Sequence, residues 1–150
     1  MKEIYNHEKN LIAFKNINNI KFHIQLKGKK TIVGGETASG KTLLVNSIKM
    51  LIGNKNTGMT DYNANNVFEV TSDNLDKLSK QKDKLIVIDR ADLILDKDTI
   101  KIINEDDCNN YLIFARAPIG IYLSPNYFAN LVNNNGTIEL KYRFNESGWN

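Results

Sequence analysis

The sequence predicts one domain over residues 1–150, an α/β architecture of three layers with a mostly parallel central sheet and an antiparallel hairpin at its start. Three observations predict it. Two continuous apolar runs, Leu85 to Ile88 and Tyr111 to Ala115, have the composition of central parallel strands covered on both faces. Directly after the short apolar strand Thr31-Ile32-Val33, Leu44, Ile48, Leu51 and Ile52 recur at helical spacing. Closer to the N-terminus, Ile20, Phe22, Ile24 and Leu26 alternate with Lys21, His23, Gln25 and Lys27, as in an antiparallel strand wet on one side.

The elements follow in order. Leu11 to Phe14 and Ile20 to Leu26 form the two arms of the hairpin, joined through the asparagine-rich turn Asn16 to Asn19. Thr31 to Val33 runs into two glycines, and a helix begins near Gly40 or Lys41 and stops at Gly53. Asn54 to Asn66 is polar and carries Gly58, so it reads as a loop; Val67 to Val70 is a brief strand, and a short helix starts at Ser72 or Asp73. Ile100 and Ile103 mark a short helix between the two apolar runs. Ser124-Pro125 signals another helix start, with serine as cap and proline at the first helical position. Thr137 to Phe144 alternates, placing Ile138, Leu140, Tyr142 and Phe144 on one face of a half-exposed strand.

Composition narrows the class. A hydrophobic share of 41% with 25% charged residues fits an ordinary soluble domain rather than a disordered or fibrous chain. A net charge of +3 permits a nucleic-acid partner without requiring one. The first residues lack the apolar stretch of a secretory signal, and the apolar runs fall far below the roughly 20 residues that span a bilayer. A cytoplasmic protein without membrane association is expected. Cys108 has no second cysteine to pair with, and His7 and His23 lie far from it, so neither a disulfide nor a zinc site is expected.

The chemistry concentrates in one segment. Gly35, Glu36, Thr37, Ala38, Ser39, Gly40, Lys41 and Thr42 give a glycine, four residues, then Gly-Lys-Thr, between an apolar strand and an amphipathic helix. Glycines let successive backbone N–H groups approach a polyphosphate, and a helix N-terminus adds partial positive charge. Lys41 then reaches the β- and γ-phosphates, and the Thr42 hydroxyl faces Mg²⁺. Asp89, at the end of the Leu85 to Ile88 run, is the acid placed to hold the metal's shell, because ligands in open α/β sheets sit at the carboxyl ends of strands.

On these residues the chain resembles the P-loop NTPase superfamily, and the stretch from Ile12 to Ile48 looks most like the opening of small ABC-type and AAA-type ATPases. The resemblance implies ATP and Mg as cofactors, a Walker A loop at Gly35 to Thr42, a Walker B aspartate at Asp89, metal contacts from Thr42 and Asp89, and a catalytic set of Lys41, Asp89, Asp92 and Arg116. The chain departs from those families in three ways. Arg90 stands where a catalytic glutamate would follow Asp89, no histidine follows Asp89, and Leu78-Ser79-Lys80-Gln81 lacks both glycines of the ABC signature. Asp92 is either a substitute that orients water or a cap for the turn; Arg116 either touches the γ-phosphate or pairs with a surface acid. Tyr5, Phe14 or Phe22 either stacks on adenine or belongs to the core. GTP is disfavoured because no Asn-Lys-x-Asp motif occurs.

Three functions compete: a minimal Mg-dependent ATPase or ATP-dependent switch, a nucleotide-binding module that regulates a protein or nucleic-acid partner without hydrolysis, and a small-molecule kinase. An unidentified protein partner or self-association fits the first two. Lys21, Lys27, Lys29 and Lys30 are the candidate contacts to nucleic acid, or a solvated edge that blocks strand pairing.

Overall fold

The computed structural model describes residues 2–34, 40–53, 61–145 and 148–149. In chain order these form β1 (Lys2–Glu3), β2 (Tyr5–Asn6), β3 (Leu11–Lys15), β4 (Lys21–Gln25), β5 (Lys30–Val33), α1 (Lys41–Gly53), β6 (Tyr62–Asn63) and β7 (Val67–Val70). A 3₁₀ segment (Leu75–Lys80) leads to β8 (Leu85–Ile88), α2 (Ala91–Ile94), α3 (Lys97–Glu105) and β9 (Asn110–Phe114). A single 3₁₀ turn (Pro125–Tyr127) then precedes β10 (Phe128–Asn134), β11 (Thr137–Tyr142), β12 (Phe144–Asn145) and β13 (Gly148–Trp149).

Nine strands make one sheet in the order β2-β3-β4-β11-β10-β5-β9-β8-β7. The half β10-β5-β9-β8-β7 is parallel throughout. The other half is mixed: β10 meets β11 antiparallel, β11 meets β4 parallel, and β2, β3 and β4 pair antiparallel. Residues 2–6 then draw the two edges together. Tyr5 and Asn6 pair with β3, while Lys2 and Glu3 pair in parallel with Tyr62 and Asn63, just ahead of the opposite edge strand β7. Asn66 Nδ2 adds a 2.8 Å hydrogen bond to the Tyr5 carbonyl. The sheet is therefore curled and nearly closed.

This arrangement corrects the expected three-layer α/β fold with a mostly parallel sheet. The hairpin β3-β4 is no appendage, since β11 joins it edge to edge to the parallel half. Helices are also scarce among the described residues. Beyond the 13 residues of α1 there are 9 in α3 and 4 in α2, too few to cover the sheet on both faces. The outer face of β3 and β4 is bare, with Lys15, Lys21, His23 and Gln25 exposed.

Two apolar clusters flank the sheet. The inner one gathers Leu44, Val45 and Ile48 of α1 with Ile4, Tyr5, Phe14, Phe22, Ile24, Val67, Leu112 and Ile138, drawing on both halves of the curl. The outer one joins Ile32, Ile86, Ile88, Tyr111 and Ile113 to Leu78, Ala91 and Ile103. The alternation predicted for β4 is observed, with Phe22 and Ile24 buried between exposed neighbours. The helix expected at Ser124-Pro125 shrinks to one 3₁₀ turn, because Phe128 enters β10 and pairs with Ile32 of β5. The Asn54 to Asn66 loop lies outside the described residues over 54–60 and otherwise contains β6.

Asparagine has a local job here. Asn10, Asn19 and Asn135 take positive φ, which this side chain tolerates better than most. Asn135-Gly136, with φ of 55° and 91°, forms the tight turn between β10 and β11. The side chains of Asn6, Asn16, Asn63, Asn74 and Asn133 accept hydrogen bonds from nearby backbone N–H groups.

Closure makes a prediction at its centre. Ile4 is 1% exposed and hydrogen-bonded through its backbone to both Asn63 and Ala13. Ile4→Ala should lower unfolding stability by about 2–4 kcal/mol, measured by urea denaturation. A loss below about 0.5 kcal/mol, the scale of ordinary surface changes, would mean that residues 2–6 fray and the sheet is open.

Candidate functional site

The parallel half brings its carboxyl ends together. Val33 of β5 is level with Phe114 of β9, and Ile88 of β8 is level with Ile113, so Gly34, Asp89 and Ala115-Arg116 leave the sheet side by side. Gly35, Glu36, Thr37, Ala38 and Ser39 lie outside the described residues. The segment re-enters at Gly40, whose carbonyl accepts a 2.9 Å hydrogen bond from Leu44 N at the start of α1. Gly40 has φ +104°, and a Cβ there would stand 2.6 Å from Ile138 Cδ1. The conformation favours glycine, and a Cβ there would require the Ile138 side chain to shift.

Lys41 occupies the first turn of α1, and its ammonium sits 2.9 Å from Asp89 Oδ1. The two side chains keep 23% and 30% of their exposure, so the pair stands at a mouth open to solvent. Lys41 Nζ also lies 5.9 Å from the centre of the Phe114 ring, an apolar wall that limits its hydration. Thr42 is exposed on the same turn. The structure thus joins Lys41 and Asp89, residues 48 positions apart by their numbers, at the ends of adjoining elements.

Asp92 is engaged otherwise. Arg90 grips it in a fork, Nε at 3.2 Å from Oδ1 and Nη2 at 2.8 Å from Oδ2, and Arg116 N donates to Oδ1 at 3.2 Å. These donors, the Arg90 side chain foremost, hold the Asp92 carboxyl down to about 2. A carboxylate so poor in basicity and so fully bonded is a fastener between β8 and the loop after β9 rather than a group that draws a proton from water. Arg90 itself has φ +57°, the left-handed region, as α2 begins. Arg116 meets this site through its backbone; its exposed guanidinium makes no hydrogen bond or ion pair among the described residues.

The aromatic candidates belong to the core. Tyr5, Phe14 and Phe22 are each at most 5% exposed, and Phe14 stacks on Phe22 with centroids 4.8 Å apart. The four lysines do not gather. Lys21 lies at the site end of β4, Lys27 sits over the Tyr142 ring, and Lys29 and Lys30 donate to the Asp107 and Asp106 carbonyls at the opposite end. Asp106, Asp107 and Cys108 cluster there as well, but Asp106 already receives hydrogen bonds from the Tyr111 hydroxyl, the Asn109 amide and Cys108 N.

Two contacts escape sequence reasoning. Arg143 lies against Gly34, where a Cβ would come within 2.6 Å of Nη2, and Ile138 lies against Gly40. Arg143 follows directly on the alternating strand β11, and that position is its one trace in the sequence.

The chain matches no protein family and no curated protein. Membership of the P-loop NTPase superfamily is accordingly corrected, since no family match supports it and the mixed, nearly closed sheet with few helices differs from a parallel-sheet fold of that kind. No helix among the described residues is long and apolar enough to cross a membrane.

The Asp92 fastener has a pH signature. Its carboxyl is lowered in the folded state, so its contribution to stability is present above the ordinary value of 3.8 and is lost as pH falls toward about 2. Asp92→Asn should therefore cost about 1.5–3 kcal/mol at pH 7. The gap to the parent chain should narrow between pH 4 and pH 2 in urea unfolding; a gap independent of pH would show that charge on Asp92 plays no part.

Proposed function

We propose that this chain binds a nucleoside triphosphate with Mg²⁺, ATP in preference to GTP, on the segment Gly35 to Thr42, and that it works as a nucleotide-dependent switch with slow or no turnover. The observation that carries the reading is the meeting of Lys41, in the first turn of α1, with Asp89, directly after β8. An ammonium for the phosphates and a carboxylate for the metal shell stand within 2.9 Å, at the first turn of α1, where a helix leaves backbone N–H groups without intrahelical partners. Thr42 is exposed beside them to offer its hydroxyl to the metal. Bound Mg²⁺ would supply neutralisation of the phosphate charge, with Asp89 and Thr42 holding its shell.

Slow turnover follows from the neighbours. Arg90 stands where an acid would be needed, and Asp92 has both oxygens occupied and little basicity. Nucleotide state then matters through contacts rather than chemistry. Inserting Mg²⁺ and phosphate between Lys41 and Asp89 must part that ion pair, and the ends of α1 and β8 feel the change.

The ion pair also makes a crossing prediction. In titration calorimetry, Lys41→Ala should weaken Mg·ATP binding on the order of tenfold to a hundredfold. Asp89→Asn should abolish the gain from Mg²⁺ yet raise affinity for magnesium-free ATP by about two- to fivefold, because it releases the ammonium from its competing partner. Equal losses with and without Mg²⁺ in Asp89→Asn would remove the metal role. Absence of ATP heat in the parent chain would remove the whole reading.

A further inference from the structure

Across β3, β4 and β11 runs an open groove of about 560 Å³. Lys15 and Lys21 line its middle, Lys2 of β1 and Tyr62 of β6 line it beyond β3, and Glu139 lines it on β11. Lys15 and Lys21 are direct partners across the β3-β4 pair, and both are exposed. Like charges placed directly opposite each other weaken a sheet. Nor does Lys21 guard an edge, because β4 is paired on both sides, by β3 and by β11. The ammonium groups of Lys2, Lys15 and Lys21 make no ion pair or hydrogen bond among the described residues. Three cations that the fold does not use face one groove, and a polyanion is the partner that complements them.

The rest of the lining narrows the polyanion. The Tyr62 ring stands edge-on against Phe14, centroids 6.1 Å apart at 68°, so its position is fixed, and His23 is exposed next to Ala13. Aromatic rings beside a basic groove suit bases that are unpaired and free to stack. Glu139 is level with His23, and its Oε1 accepts from Asn134 Nδ2 at 3.2 Å. A carboxylate among lysines turns a phosphate away from itself, yet it accepts a hydrogen bond from a hydroxyl. On a nucleic-acid strand that hydroxyl is the ribose 2′-OH, the group by which a protein tells RNA from DNA.

We infer that this groove holds a single strand of RNA, with phosphates on Lys15 and Lys21, added charge from Lys2, a base against Tyr62 or His23, and a 2′-hydroxyl donating to Glu139. The inference does not rest on the nucleotide reading, since Lys41 and Asp89 take no part in the groove.

The test is fluorescence anisotropy of the full chain with end-labelled oligouridylate and oligodeoxyuridylate of equal length, which differ only in the 2′-hydroxyl. The RNA should saturate, and three ammonium contacts should make log affinity fall against log salt with a slope of about −2. Lys15→Gln with Lys21→Gln, both at exposed positions, should make that slope shallower by about 1.4 and weaken binding at low salt about tenfold. Lys97→Gln with Lys101→Gln, the same charge change on exposed positions of α3, should leave both unchanged. The RNA should bind about threefold tighter than the DNA, and Glu139→Ala should remove that preference. Lys41→Ala should leave RNA binding intact, which separates this groove from the phosphate segment. Failure to saturate, an equal loss in the α3 variant, loss in Lys41→Ala, or equal affinity for the RNA and the DNA would overturn the inference.

Discussion

The burial of one face of α1 inside the curled sheet is the constraint from which the rest follows. Leu44, Val45 and Ile48 are at most 3% exposed, and each fully buried aliphatic side chain of this kind is worth about 1.5–3 kcal/mol. A flat sheet could not surround them. The curl becomes possible because residues 2–6 span from β3 to β6, and it carries Phe22 and Ile138 to the helix from the far half of the sheet. With α1 seated there, its first turn brings Lys41 to Asp89 at the end of β8. The position of Lys41 is thus a consequence of packing well away from it.

The charges at that mouth divide into two kinds. Lys41 and Asp89 are partly solvated as side chains and meet through a single contact at the buried Asp89 Oδ1, one that an arriving ligand could replace. Arg90 and Asp92 meet through a fork, and the Arg116 backbone adds a third donor, so that pair fastens the chain. Acids only three positions apart therefore carry different duties, set by the number and direction of the donors around them. The loop that runs from Arg116 to Ser124 inherits its position from this fastener at one end and from Asn104 on α3 at the other.

Much of the parallel half was legible in the sequence because its strands are covered on both sides. Leu85 to Ile88 and Tyr111 to Phe114 are continuous apolar runs, and the helical spacing from Leu44 to Ile52 matches α1. The strand β10 hides behind Asn130, Asn133 and Asn134, and Ser124-Pro125 supplies a true capping signal for a helix that ends after one turn. β1, β2 and β6 have two residues each, too short for any period to show. Closure is a pairing between positions about sixty residues apart, so a reading built on local pattern yields layers where the chain makes a curl. At the site, the Gly-Lys-Thr run and Asp89 stood out by residue type. The hold on Asp92 and the contacts of Arg143 and Ile138 with the two glycines depend on tertiary approach and leave no local mark.

Together these features place a helix N-terminus, an ammonium and a carboxylate at one solvent-facing point, with a lysine-lined groove on the other half of the sheet. Hydrogen exchange read by mass spectrometry, with and without Mg·ATP, tests the central claim most directly. Slowed exchange in peptides covering Gly34 to Leu44 and Ile88 to Asp92, absent in Lys41→Ala, is the predicted result. Unchanged exchange in those peptides at millimolar Mg·ATP would contradict it.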